Sequence, residues 1–311
     1  VDPAQTLRAA NALLQKIQSD QAARAASSFK ADLLADADDD VNASSQPVWL
    51  VLSTKKHIVD KKRLKAGKIL LPHALLDPST SALRICLITA DPQRAYKDLV
   101  ADPSFPLDLS KNISRVIGLS KLKAKYKSYE SRRQLYREHD VFFADDRVIT
   151  YLPQLLGKVF YQTGSKRPVP VSMQGRRQDV DEQGNKRQKL SEGGTKAVRS
   201  AAKPAEVASE IQRTLSCALV HLAPSTTTAV KVGHSLMSPQ EVQENIEAAT
   251  KALVEVYVPQ KWRNVRSIHI KGPDTAALPI WMAEELWEDE QDVLEEPPAE
   301  RASKKDKKRK R

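Results

Sequence analysis

ALRICLITADPQRAYKDLVA, residues 82–101, sets an apolar run of strand length against a more polar stretch of helical length. The alternation continues through NISRVIGLS (112–120) as a second strand and KLKAKYKSYESRRQLYREH (121–139) as one strongly basic helix. VFFAD (141–145) is a third strand that enters another helical region. Strands and helices alternating at these lengths predict a small parallel α/β layer of about 80 residues.

Upstream of this layer, residues 3–26 carry Ala9, Ala10, Leu13, Leu14 and Ile17 at helical spacing after an Asp2-Pro3 start signal. Residues 27–46 are acidic and rich in Ser and Ala, the composition of a loop or insert. PVWLVLSTKK (47–56) reads as a buried strand ending in lysines. KKRLKAGKILLPHALL (61–76) reads as a basic loop before another strand. Downstream, residues 173–204 lack apolar periodicity and read as a solvated basic insertion, whose NKRQKL has the character of an import signal. A helix near 205–215, the strands CALVHLA and AVKVGH, a helix SPQEVQENIEAATKALVEVY and the strand SIHIKG follow. Ser238, Pro239 and Glu241 form a capping box for the last of these helices.

A chain of 311 residues holds about two domains. Its net charge is +11, but the distribution is uneven. Residues 284–300 hold nine acids and no bases, and residues 301–311 hold eight bases and one acid, leaving +13 for residues 1–283. A body that is basic in its own right attracts polyanions, nucleic acid first among them. No apolar run reaches the length of a membrane span, and the N-terminal stretch lacks the pattern of a secretory signal. Cys86 and Cys217 sit inside apolar runs and are expected to be buried thiols in a reducing compartment. The histidines and cysteines show no metal-ligand spacing, so neither a metal nor any other cofactor is expected.

Asp145 and Asp146 close the strand VFFAD, where α/β enzymes often place a reactive carboxylate. An aspartate enzyme also needs a phosphate loop, a second acidic cluster or a Gly-rich nest, and the ends of the other strands offer none. The expectation is a helix N-cap, with Pro153 opening the helix LPQLLG, and no enzymatic activity.

LPH (71–73), ADDRV (144–148), LPQLLGKVFY (152–161), VGH (232–234), QENI (243–246) and RSIHI (266–270) occur in one order. Together they resemble the ribosomal protein L1 family, the protein of the mobile stalk of the large subunit. KLKAKYKSYESRRQLY and TAALPIW look closer to its nucleolar relatives in ribosome assembly. The resemblance covers about residues 47–283 apart from the 173–204 insertion. It implies two domains: an α+β split β-α-β domain over 1–79 and 165–283, and an inserted Rossmann-like three-layer α/β domain over 80–164. Residues 284–311 would form an acidic and then basic disordered tail.

The resemblance also implies a role: binding pre-ribosomal RNA and other assembly proteins in the nucleolus, without membrane or small-molecule substrate. ITADPQRAYKDL and FYQTGSKRPVP look nearer to the branch acting on the early small-subunit precursor. The large-subunit branch, a stalk subunit proper and a protein-only adaptor remain alternatives. Where the stalk protein reads Ser-Thr-Met-Gly-Pro, this chain reads KGPDTAALP (271–279), which keeps Thr275 but lacks the Met-Gly pair and favours an assembly factor. The expected RNA contacts are Lys55, Lys56, Lys61, Lys62, Arg63 and Lys68 in the basic stretch, with Gly233, His234, Lys271 and Thr275 implied by the resemblance. Tyr126, Tyr129 and Tyr136 fit one core-facing stripe with Leu122 and Arg133, leaving the rest of that helix as a basic contact face. Lys304, Lys305, Lys307, Lys308, Arg309, Lys310 and Arg311 read as a nuclear-import signal.

Overall fold

The computed structural model describes residues 1–27, 46–60, 64–76, 83–162, 166–175 and 202–285. Lys61, Lys62, Arg63, NKRQKL and the basic tail lie outside the described residues, as do nearly all of the acidic insert and most of the acidic tail.

In chain order the elements are α1 (Pro3–Ser27), β1 (Pro47–Thr54), β2 (Gly67–Leu70), β3 (Ile85–Thr89), α2 (Gln93–Ala101), α3 (Leu107–Asn112) and β4 (Ile113–Gly118). Then come α4 (Leu119–Lys125), α5 (Tyr129–Glu138), β5 (Val141–Asp145), α6 (Leu152–Leu156), α7 (Lys158–Tyr161) and β6 (Val169–Val171). The last group is α8 (Pro204–Leu215), β7 (Cys217–Val220), β8 (Thr227–His234), α9 (Pro239–Ala252), β9 (Val265–Lys271) and β10 (Leu278–Met282).

Both ends of the described chain build one antiparallel sheet, ordered β10-β9-β1-β8. Alternate residues of each strand, including Val48, Leu50, Leu52, Val230, Val232, Ile268 and Ile270, join a single core with Ala10, Leu13 and Ile17 of α1 and Val242 and Ile246 of α9. The start of α1 is held as expected: the Asp2 carboxylate accepts from Ala4 N at 3.0 Å and its carbonyl accepts from Thr6 N at 3.0 Å. The Ser238–Glu241 capping box is formed at α9. β2 and β7 make a separate antiparallel ribbon whose Ile69, Ala218 and Val220 close the same core. The edge strand β10, with Pro279 in it, was not anticipated from TAALPIW.

The rhythm that begins at residue 82 yields a parallel sheet ordered β4-β3-β5-β6. Every residue of β3 and β5 is buried, as the two faces of a covered parallel sheet require. Ile85, Leu87 and Phe143 point into a layer with Tyr96, Leu99, Leu109, Val207 and Ile211, while Cys86, Ile88, Phe142 and Ala144 face Leu122, Leu135, Leu152 and Phe160. This is the expected three-layer α/β architecture.

Its extent differs from the expected 80–164. β6 hydrogen-bonds to β5, and α8 lays Val207, Ala208, Ile211 and Leu215 on the parallel sheet. Both come from the stretch assigned to domain one; without them one edge of β5 and part of one face would stand open to water. The ends of the expected 173–204 insertion are likewise structured: Met173 and Ala202 are buried, and Ala202 N donates to Met173 O at 3.1 Å.

The single basic helix is two helices. Tyr126 (φ −106°, ψ 48°) ends α4, and Ser128 caps α5 by accepting from Ser131 N at 3.2 Å. A break resets the helical phase, so the expected tyrosine stripe does not survive it. Tyr126 and Leu135 are buried, Tyr136 is half-buried edge-on to Phe160, and Tyr129 is 62% exposed. The two cysteines are free and buried as expected, and burial pushes the Cys86 thiol up to about 12.

Asn245 of α9 ties three elements together. Its Nδ2 donates to His73 O (3.1 Å) and Val232 O (2.9 Å), and its Oδ1 accepts from His73 N at 3.0 Å. Asn245→Ala strands those groups in the core and is expected to lower unfolding free energy by about 3 kcal/mol in urea titrations. A loss indistinguishable from zero contradicts this assignment.

His139, His221 and His234 are all held below the usual histidine range, first by burial and then by nearby cations. Unfolding returns them to about 6.5. Between the depressed folded values and that figure the unfolded chain binds more protons, so stability falls as pH falls through this window. The urea midpoint is expected to drop from about pH 7.5 to about pH 5.5, and His139→Leu to flatten part of that slope. Equal slopes in the two proteins count against the His139 contribution.

Candidate nucleic-acid interface

Of the paired aspartates at the end of β5, the first is taken up by its neighbours. Asp145 is fully buried, and its carboxylate accepts from Arg147 N (2.9 Å), Nε (3.1 Å) and Nη2 (2.6 Å). Arg147 Nη2 also donates to the Tyr96 hydroxyl, and burial raises that phenol above the ordinary tyrosine range. This bonding to the residue two ahead is an Asx-type turn, and it corrects the N-cap expectation. α6 starts only after Tyr151, with no side-chain cap.

The carboxyl ends of β3 and β5 flank the topological switch point where open α/β sheets take ligands. Here the Asp145–Arg147–Tyr96 set lies at the end of β5. At the β3–β4 end, Asp91 accepts from Ser120 N (3.1 Å) and Oγ (2.6 Å). Asp146 is half-buried; burial raises its carboxyl, opposed by Lys65 and Lys68.

The antiparallel sheet is the more open surface. Residues that alternate with its core positions, Trp49, Val51 and Ser53 on β1, are half-exposed. Trp49 pairs with Lys231 of β8 on one side and Lys271 of β9 on the other, so a ring lies between two lysines in one row across three strands. Burial lowers the Lys231 ammonium below the usual lysine range. His234, at the end of β8, is pushed down by burial and by Lys231, with Glu241 opposing, and its Nδ1 accepts from Leu236 N at 3.3 Å. Beyond Lys271, the Thr275 hydroxyl accepts from Gly272 N at 2.7 Å and closes the turn. Gly272 packs closely there: a Cβ would sit 3.1 Å from Ile17 Cδ1.

The expected contacts thus divide. His234, Lys271 and Thr275 gather at one end of the sheet. Lys55 and Lys56 follow β1 at the other end, roughly 20 Å away for six strand residues.

Two of the expected contacts have partners within the fold. Gly233 is buried, with a Cβ position 3.2 Å from Val242 Cγ2, so it seats α9 on β8. Lys68 donates to Glu210 Oε1 (2.5 Å) and Thr214 Oγ1 (2.9 Å), fastening β2 to α8. Trp49 and Lys231 add to the expected contacts; each is the amphipathic residue that alternates with buried ones in its strand, and only strand pairing makes them neighbours.

A separate cavity of about 260 Å³ lies beside β7 and α6, lined by Lys65, Tyr161, Arg167, His221 and apolar groups. Arg167 Nη2 donates to Tyr161 O at 2.8 Å, and its Nε is buried without a hydrogen bond. Among the described residues, no group of acidic, histidine or cysteine side chains could hold a metal ion, and no helix is long and apolar enough to cross a membrane.

Lys68→Met should therefore lower the melting temperature by removing the tie to Glu210 while leaving RNA affinity unchanged in anisotropy titrations. A selective loss of RNA affinity would restore Lys68 to the interface.

The pattern of the Ribosomal protein L1p/L10e family matches residues 21–276. A Schizosaccharomyces pombe protein named for ribosome biogenesis is 38% identical over 254 residues, which is 82% of this chain and 58% of that protein. A second protein so named, from the same yeast, is 26% identical over 239 residues, or 77% and 72% of the two chains. Ribosomal L1 domain-containing protein 1 of Mus musculus is 27% identical over 243 residues, or 76% and 45%. The chain spans less than two thirds of the length of the first of these relatives. With the two sheets arranged as described and the family pattern running through most of its length, this chain belongs to the ribosomal protein L1p/L10e family.

Proposed function

We propose that this chain is a non-enzymatic ribosome-biogenesis protein that holds pre-ribosomal RNA on the half-open face of its four-stranded sheet. The observation that carries the reading is the row Lys231–Trp49–Lys271, with His234 and Thr275 at its margin. Neighbouring strands are about 4.8 Å apart, so the two lysines span about 10 Å with an indole between them. Lysines give phosphate contacts, which set affinity and position, and an aromatic ring offers a stacking surface for an unpaired base. The names of the two yeast relatives support the assembly role. The engagement of Asp145 by Arg147, which in turn donates to Tyr96, supports a role without catalysis.

Work of this kind is scaffolding: one RNA conformation is bound better than its competitors, and its population rises accordingly. The protein acts in the nucleolus, reached through the basic import signal of residues 304–311, on the early small-subunit precursor. The parallel unit, with its paired basic helices α4 and α5, faces protein neighbours in the same particle. Lys55 and Lys56 extend the basic margin at the far end of the sheet.

Ultraviolet crosslinking in growing cells, followed by sequencing of the attached RNA, tests this. Reads concentrated on the small-subunit precursor are expected. Reads on the large-subunit precursor overturn that branch, reads on the mature stalk make the protein a ribosomal subunit, and no enrichment ends the RNA reading. In vitro, Lys271→Ala should weaken RNA binding several-fold and reduce the salt slope by about one.

A further inference from the structure

The backbone is most unusual just before β9. Gln260 (φ 61°) and Lys261 (φ 52°) are consecutive non-glycine residues in the left-handed region, and no other non-glycine residue with positive φ occurs among the described residues. Such geometry persists only where the surroundings dictate it, and it gathers at ligand contacts. Here the surroundings are explicit. Asn264 is 2% exposed; its carbonyl accepts from Lys55 N at 2.8 Å and its Oδ1 from Lys56 N at 2.8 Å. The short 3-10 turn of Lys261–Asn264 is therefore fastened to the end of β1.

The strained turn holds Lys261, Trp262 and Arg263 outward, all exposed, with Arg266 exposed on the adjoining strand. Trp262 is 42% exposed although its ring meets Trp281 edge-on at 5.3 Å and 63°. That contact fixes the indole without covering it.

We propose that Trp262 is a stacking platform for one unpaired base of single-stranded RNA, with Lys261 and Arg266 taking the adjacent phosphates. Base-on-aromatic stacking needs a rigid ring beside cations, which is the arrangement present. A protein groove would need contiguous apolar area; here exposed Trp262 and Met282 are interspersed with Lys261, Arg263 and Arg266. This inference rests on the RNA-binding reading above and adds a contact at the opposite end of the sheet from Lys271 and Thr275. An RNA held at both points would set one unpaired base on Trp49 and another on Trp262.

The test compares the full chain with Trp262→Leu, which keeps an apolar side chain against Trp281, and Trp262→Tyr, which keeps a ring. Binding to a short oligoadenylate and to an RNA duplex of equal phosphate number is measured by fluorescence anisotropy. Trp262→Leu should weaken oligoadenylate binding about tenfold, Trp262→Tyr should recover most of it, and duplex affinity should stay within twofold of wild type. Unchanged oligoadenylate binding in Trp262→Leu overturns the platform, as does equal loss in both variants or a parallel fall on duplex. If Trp262→Leu does not fold, photocrosslinking of wild type to bromouridine-substituted oligouridylate decides: adducts on Trp262 support the platform and their absence overturns it. A wild-type chain that binds neither RNA overturns the RNA reading itself, an outcome distinct from all of these.

Discussion

Leu50 stands opposite Val230 on one side and opposite Ile270 on the other, which makes β1 a central strand whose partners arrive much later in the chain. The core of the antiparallel part depends on this double pairing, because Val48, Leu50 and Leu52 reach full burial only when β8 and β9 flank them and α1 and α9 cover them. Long closures carry an entropic cost that grows slowly with length, so a large segment between β1 and β8 is tolerable if it folds by itself. The parallel sheet fills that segment. Its strands β3, β4 and β5 are close in sequence and joined by helices, so its contacts are more local than those of β1.

Polar groups in the two parts have different fates for a related reason. In the parallel unit both sheet faces are covered, so a carboxylate at a strand end must find partners within the unit. Asp145 finds Arg147, and Asp91 finds Ser120. The antiparallel sheet is covered on one face, and the pleat then sends every second residue to the other. Trp49, Lys231 and Lys271 become neighbours by that geometry and by strand register together. A slip of one residue would bury the lysines and expose Leu50, so the hydrophobic pattern that secures the core also secures the basic row.

The readings that failed did so where a local pattern was continued past a break or a sheet edge. The basic helix was drawn through Tyr126 because its residues favour helix on both sides, while Ser128 starts a new one with its own phase. β6 and α8 were given to domain one because an insertion separates them, yet the edge of β5 and its apolar face draw both back. Lys68 lies in the densest run of bases, and its strand brings it to hydrogen-bond distance of Glu210, a pairing that position in the run does not disclose. Gly233 was placed by motif beside an interface, whereas its missing side chain makes room for Val242.

Period and composition alone determined much: α1 and its buried stripe, the alternation that produces the parallel layer, the Ser238 capping box, the buried thiols and the basic character of the body. These are short-range or bulk properties, set by side chains within a turn or two of each other or by their sum. What tertiary structure decided is adjacency. It put Lys231 and Lys271 on either side of Trp49, fastened Asn264 to Lys55 and Lys56 so that Trp262 stands outward, and gave Lys68 and Gly233 partners within the fold. Adjacency follows from which strands pair and in what register, and those choices are made by the burial of residues far apart in the chain.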